Sequence, residues 1–219
     1  MIFKKRFAPV LVLAVVVILI FSTLVFLQQK SVISQESKKP THLVKVKISS
    51  KEAKQIITNR AKEIITALKT KDMKKLSTFV HPDKGVRFSP YSYVDLKNDL
   101  VFKSSHIKNI LADTTKYSWG FEDATGDDIK LTFPRYFKRF VYDHDFANAQ
   151  KISYQKIIGR GNTVNNNFEI YPKAIIVEYH FPGFNPAYHG MDWKSLRFVF
   201  EKKGETWYLI GIIHDQWTS

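Results

Sequence analysis

The sequence predicts an α+β protein, in which an N-terminal transmembrane helix is followed by a helical hairpin packed on a curved antiparallel sheet. Three observations carry this reading. Residues Ala8–Leu27 form an uncharged run directly behind Lys4-Lys5-Arg6. Two amphipathic helical patterns then follow between about residues 49 and 80. The last third is a series of segments rich in Ile, Val, Phe and Tyr, separated by turn residues. Helices first and strands last is the order of a two-layer α+β domain.

A helix of ~20 residues rising ~1.5 Å each spans the ~30 Å hydrocarbon layer. The basic flank, residues 1–7, keeps the N-terminus cytoplasmic and sends the C-terminal bulk outside. A cleaved secretory signal is the rival, but its apolar region is only ~7–15 residues and ends at small residues. Here the run from Val10 continues to Leu27 and meets Gln28-Gln29-Lys30-Ser31-Val32, a poor cleavage context. Residues 8–27 therefore read as an uncleaved signal anchor. The expected location is the cell membrane, single-pass, with the C-terminal domain extracellular. Residues 28–48 read as a polar stalk, and residues 49–219 as the extracytoplasmic domain.

The chain has no cysteine, which removes disulfides, thiolate chemistry, Cys-based metal sites and acylation at a cysteine. Such a domain must be held by its core, and 17 Phe, 10 Tyr and 4 Trp supply ample apolar material for one. The net charge of +14 attracts anionic partners such as wall polymers or lipid headgroups. Its lysines are scattered and no Arg-rich run exists, so the charge reads first as a solvated surface and gives no specific nucleic-acid site.

Within the domain, Ser49-Ser50-Lys51-Glu52 is a capping-box pattern. The helix it opens carries an apolar stripe through Ala53, Ile56, Ile57, Ala61, Ile64, Ile65 and Leu68. Asp72 caps a second short helix, with Met73, Leu76, Phe79 and Val80 inward and His81-Pro82 at its end. Val86–Val94 contains Pro90, which suggests an edge position or a loop. Asp99–Ala112 begins as strand and ends as short helix, Glu122–Asp128 is an acidic turn, and Thr132-Phe133-Pro134 opens a further helix. Strands are expected over Lys151–Ile158, Ala174–Phe181, Ser195–Glu201 and Thr206–His214, with Lys203-Gly204 turning the last hairpin.

The strings His81–Tyr91, Lys116–Gly120, Gly190–Leu196 and Ile213–Thr218 resemble uncharacterised exported proteins and lipoproteins of Gram-positive bacteria. The element order over roughly residues 50–219 is similar to the nuclear-transport-factor-two-like, cone-shaped α+β fold. That resemblance implies a pocket between sheet and helices, and it carries no activity with it. The chain departs from the lipoprotein members in lacking the acylated cysteine, so anchoring falls to residues 8–27.

Alternation on Ala174–Phe181 puts Ile175, Val177, Tyr179 and Phe181 on one face and Glu178 and His180 on the other. In the hairpin, Arg197, Val199 and Glu201 share a face, as do Tyr208, Ile210, Ile212 and His214. Coinciding polar faces would bring Glu178, His180, Arg197 and His214 to one cavity, a His/carboxylate set suited to proton transfer. The plainer reading makes Glu178, Arg197 and Glu201 cross-strand ion pairs on a solvated face. His214 and Asp215 point to opposite faces while extended, so Asp215 is expected to accept backbone donors while Trp217 plugs the core. Tyr142-Asp143-His144-Asp145 lacks metal-ligand spacing and reads as a helix-terminal turn. Phe184, Tyr188 and Trp193 lie in or beside a turn-rich loop that either stacks on a flat ligand or closes the sheet end.

The candidate ligand-binding residues are thus Glu178, His180, Tyr188, Trp193, Arg197 and His214. No catalytic residue, metal or cofactor is assigned. Three function classes remain: a membrane-anchored binding or accessory module of the cell envelope, a small pocket enzyme using His/carboxylate chemistry, and a structural partner in an envelope protein complex. The partners that fit are the membrane through residues 8–27 and an anionic wall polymer, a small ligand or an envelope protein.

Overall fold

The computed structural model describes residues 51–218. The basic flank, the expected anchor at 8–27, the stalk and Ser49 of the capping box lie outside the described residues. Among those described, no helix is long and apolar enough to cross a membrane.

Helix α1 (Lys51–Lys69) buries Ile57, Ala61, Ile64, Ile65 and Leu68 along one stripe, while Ile56 at its margin stays exposed. A left-handed Lys71 turns the chain into α2 (Met73–Phe79). Asp72 caps that helix, its side chain accepting from the Lys75 N–H at 2.8 Å. Strands β1 (Val86–Ser89) and β2 (Leu100–Phe102) follow, then α3 (Ser104–Ile107), the hairpin of β3 (Lys116–Phe121) with β4 (Asp128–Thr132), and α4 (Phe133–Phe140) with Pro134 in its first turn. The remainder is β5 (Lys151–Tyr154), α5 (Asn167–Ile170), β6 (Ile175–Phe181), β7 (Lys194–Lys203) and β8 (Thr206–Gln216).

Six strands form one sheet in the order β2-β1-β8-β7-β6-β5. All neighbours are antiparallel except β1 and β8, which run parallel with Arg87 opposite Gly211. Two expectations need correction here. The sheet is not wholly antiparallel, and of the segment Val86–Val94 only the part from Pro90 is loop, while Val86–Ser89 is an interior strand. The strand ends at Ser89, one residue before Pro90, so the missing proline N–H removes no ladder bond and β1 can sit inside the sheet.

The inner face of the sheet carries Val177, Tyr179, Leu196, Phe198, Phe200, Leu209 and Ile212 into one core with the helices and with Phe88, Trp119, Phe133, Tyr136 and Phe140. Trp119 stacks on Tyr136 at 3.8 Å between ring centroids and donates its indole N–H to the Leu131 carbonyl at 2.8 Å. These rings occupy the space where the family resemblance implied a pocket. The outer face carries Ile176, Val199, Ile210 and Ile213 into a second core with Val94, Ile157 and Ala174. All seven residues of β6 are buried, so this strand is covered on both sides. The expected two layers are therefore joined by a third, made of the 155–172 segment.

Pairing slips between Val199 and Phe200: Phe200 faces Leu209 and Val199 faces Gly211, leaving Ile210 as the extra residue of a bulge. The bulge breaks the alternation assumed for the hairpin, sending Ile210 outward while Ile212 and His214 point inward. Trp207, near the hairpin tip, is only partly buried, whereas Leu209 is fully buried. Trp217 is likewise only partly buried and does not plug the core.

Candidate functional site

The outer face of β6, β7 and β8 holds a polar network beneath an otherwise apolar cover. Register places His180 opposite Ser195 and Ser195 opposite Asp215, forming one row across three strands; Glu178 opposite Arg197 begins the next. Arg197 Nη2 lies 3.0 Å from Glu178 Oε1, 2.7 Å from Asp215 Oδ2 and 3.0 Å from the Gly159 carbonyl. Arg197 and Glu178 are completely buried and Asp215 nearly so. The expected solvated cross-strand pair therefore exists in register but not in water. A buried pair of this kind needs every remaining polar atom satisfied to offset its desolvation.

The covering segment supplies part of that. Gln155, left-handed at φ 53°, turns the chain off β5. The backbone N–H groups of Ile158 and Gly159 then donate to the Glu178 carboxylate at 2.5 and 3.0 Å. Gly159 is required at this crossing: a Cβ there would sit 2.4 Å from Ser195 Oγ and 2.6 Å from the Trp193 ring. Trp193 is buried against the same turn, with its ring 5.9 Å from His180. His180 Nδ1 pairs with Ser195 Oγ at 2.8 Å, and burial pulls its pKa down against the raising influence of Glu178. Ser195 has no exposure, so this Ser–His pair is sealed from any substrate.

The network is not fully satisfied. Among the described residues, Arg197 Nε and Nη1 and Asp215 Oδ1 are buried without a hydrogen-bond partner. Burial raises the Asp215 pKa, outweighing the pull of Arg197 beside it. Asp215 also lines a cleft of about 420 Å³ whose other walls include Ser92, Thr163, Asn165, Phe168 and the Gly159–Gly161 turn. Lys156 and Arg160 stand at the same cleft, both exposed.

His214 is not part of this assembly. It lies on the inner face, where Nδ1 donates to the Pro90 carbonyl at 3.1 Å and Nε2 stands 3.3 Å from Asp143 Oδ2 without a well-directed hydrogen bond. The Phe140 ring packs on it edge-on at 5.7 Å. Burial raises the Asp143 carboxyl, but His214 and the ion-paired Lys194 outweigh that and hold it down at about 2. Tyr188 is exposed on the 182–193 loop and lines none of this cleft. Of the six residues singled out from sequence, Glu178, His180, Arg197 and Trp193 come together, while His214 and Tyr188 fall elsewhere.

Sequence reasoning passed over Asp215 as a partner of Arg197, and Ser195 and Gly159 altogether. It also missed Asp99. This carboxylate accepts from Ser89 Oγ at 2.5 Å and from the Asp95 N–H at 3.0 Å, at the wall of a smaller cleft of about 210 Å³ shared with Tyr91 and Glu122. Burial pushes its pKa up to about 7 against the pull of those donors. Among the described residues, no group of His and carboxylate side chains is arranged to hold a metal ion.

No family model matches the chain, and no curated protein does. Two solved structures align over most of the chain. A domain described as a calcium/calmodulin dependent protein kinase II association domain, from Xanthomonas campestris, is 13% identical, with 77% of this chain and 90% of that chain covered and a TM-score of 0.34. A protein named Rd1NTF2_05 is 14% identical, with 74% and 98% covered and a TM-score of 0.32. At these scores neither comparison carries a statement about the chemistry of this chain.

Proposed function

We propose that the chain is a membrane-anchored extracytoplasmic binding module of the cell envelope. On this reading residues 8–27 hold it in the membrane and a cone-shaped α+β domain of the nuclear-transport-factor-two-like kind carries the ligand. The ligand sits in the outer-face cleft over Asp215 rather than between sheet and helices, where aromatic side chains fill the space. One observation carries the reading: Asp215, whose Oδ1 is buried without a hydrogen-bond partner, lines a cleft of ligand size. Leaving a buried donor or acceptor unpaired costs about 1–3 kcal/mol, so a bound polar group repairs a standing deficit. At about 420 Å³ the cleft falls within the ~300–1,000 Å³ of small-molecule sites.

The test is a panel of small polar compounds titrated into the purified full chain in detergent, read by melting temperature and calorimetry. Saturable binding to the parent and none to Lys156→Trp, in which an indole from the exposed rim fills the cleft, is the expected result. Silence across the panel, or binding unchanged in the filled variant, overturns the reading.

A second reading as an acid–base enzyme is favoured by Asp99, whose carboxyl is held at about 7 beside the smaller cleft. Such a value is poised for proton transfer near neutral pH. This enzyme reading rests on Asp99 rather than on the sealed His180–Ser195 pair.

A further inference from the structure

We propose that a second cleft, on the outer face over β1 and β2, binds a small carboxylate with an aliphatic body, its anionic group on Arg87 and its carbon chain along apolar walls. This site is separate from the Asp215 cleft and goes beyond the binding function assigned there.

Register explains how the site arises. Val86 and Phe88 enter the inner core, so Arg87 between them points to the outer face. It stands opposite Val101 of the edge strand β2 and opposite Gly211 of β8. A Cβ on Gly211 would sit 3.0 Å from Val199 Cγ2 and 3.5 Å from the Tyr171 hydroxyl. The bare backbone there leaves Tyr171 its place over the sheet, where it walls a cleft of about 350 Å³. Its hydroxyl is enclosed and takes no part in binding. Leu96, Val101, Ile170, Pro172 and Ile210 supply apolar lining. Leu96 and Val101 remain 60% and 42% exposed.

Charge in this cleft is unbalanced. Lys84, Arg87 and Lys173 line it against one carboxylate, Glu201. Lys84 holds both oxygens of Glu201, at 2.6 and 2.8 Å, so that carboxylate is already engaged. Arg87 is half-buried and forms no ion pair among the described residues. Its Nη1 donates to the Asp99 carbonyl at 2.8 Å, while the Asp99 carboxyl accepts from Ser89 and the Asp95 N–H. Among the described residues Nε and Nη2 make no hydrogen bond, and neither is sealed from solvent. Unlike Arg197, this guanidinium lines its cleft and keeps an open edge. Two parallel N–H groups on that edge match the two oxygens of a carboxylate.

Simpler occupants meet only half of these features. An alkylammonium would add a charge of the sign already in excess. A neutral alcohol would cover the apolar walls and leave Arg87 uncompensated. Inorganic phosphate would pair with Arg87 and leave those walls in water. An aliphatic carboxylate answers both, and the volume falls within the ~300–1,000 Å³ of small-molecule sites.

The experiment is a calorimetric titration of the full chain in detergent, with protein-free micelles subtracted. The probes are hexanoate, acetate, hexanol, hexylamine and inorganic phosphate. Hexanoate should bind at least about tenfold more tightly than each of the others, its gain over acetate coming from buried methylenes. Val101→Asp sets a carboxylate opposite Arg87 at an exposed edge position and should abolish hexanoate binding. Arg87→Gln should level hexanoate with hexanol; if the lost bond to the Asp99 carbonyl unfolds it, Val101→Asp carries the test. Lys156→Trp, which fills the other cleft, should bind hexanoate as the parent does.

Any of the other probes binding as tightly as hexanoate overturns the inference, and so does no binding at all. Hexanoate binding that survives Val101→Asp overturns it as well. Loss of hexanoate binding in Lys156→Trp would move the acid to the Asp215 cleft, overturning this site and supporting that one. The other failures leave the function proposed for the Asp215 cleft as it stands.

Discussion

At Arg197 the sign of a buried charge depends on what is removed. Its guanidinium holds Glu178, Asp215 and the Gly159 carbonyl through a single nitrogen. Arg197→Met should therefore cost about 3–5 kcal/mol in denaturant unfolding, since it strands two carboxylates. Replacing Glu178, Arg197 and Asp215 together by Leu, Met and Leu should recover part of that loss, the shortfall coming from the Ile158 and Gly159 N–H groups and the Gly159 carbonyl left without partners. A triple variant as unstable as the single one would show that the network, beyond its charges, shapes the cover. Asp99 gives a pH dependence of definite sign. Its carboxyl rises from 3.8 to about 7 on folding, so the folded state holds the proton more tightly than the unfolded chain. This contribution is fully present below pH ~4 and is lost as pH climbs toward 7, by up to ~4 kcal/mol. Asp99→Asn should lack that decline, so the parent-minus-variant difference in unfolding free energy should fall between pH 4 and 8. A difference constant with pH would place the Asp99 carboxyl near its ordinary value. Neither residue announced its role in the sequence: Asp99 carries no motif, and Asp215 meets Arg197 only because of strand register.

Single elements were far more legible than their relations. The stripe from Ile57 to Leu68, the Asp72 cap and Pro134 in a first turn are written in local spacing, and the helices follow from it. The positions of β6, β7 and β8 follow from β-branched and aromatic runs. Their faces did not, for two physical reasons. One inserted residue at Ile210 reverses the side of every residue before it, which is why Tyr208 and Ile210 do not join Ile212 and His214. In β6, both faces are buried, so alternation of polar and apolar residues no longer marks water. Glu178 and Arg197 looked solvated for that reason. The same distinction separates two tryptophans. Trp119 is fully enclosed, stacked and hydrogen-bonded, and Trp119→Ala should cost about 3–5 kcal/mol. Trp207 lies partly exposed on the outermost part of the β7–β8 hairpin, and Trp207→Ala should cost about 1–2 kcal/mol. Equal losses in urea unfolding would mean that the hairpin tip packs as tightly as the β3–α4 core.

At the scale of the whole molecule, the question is what would hold the described domain at a bilayer. Residues 51–218 offer no apolar helix long enough to span one, and on the proposed reading attachment would rest on residues 8–27 and on whatever the net charge of +14 adds at an anionic surface. These two contributions differ in kind. A span of ~20 apolar residues inserts in an effectively irreversible way, whereas surface attraction is screened within a Debye length of ~10 Å at 0.1 M salt. The full chain should therefore stay with the membrane fraction through 1 M salt and alkaline carbonate washes. Its intact mass should still include Met1–Leu27, because the apolar run is longer than a cleavable signal's and ends without small residues. If Lys4, Lys5 and Arg6 keep the N-terminus inside, protease added to intact protoplasts should digest the domain. A mature N-terminus between Ser22 and Glu36 would sink the anchor. A chain released by salt alone would instead make the basic surface the attachment.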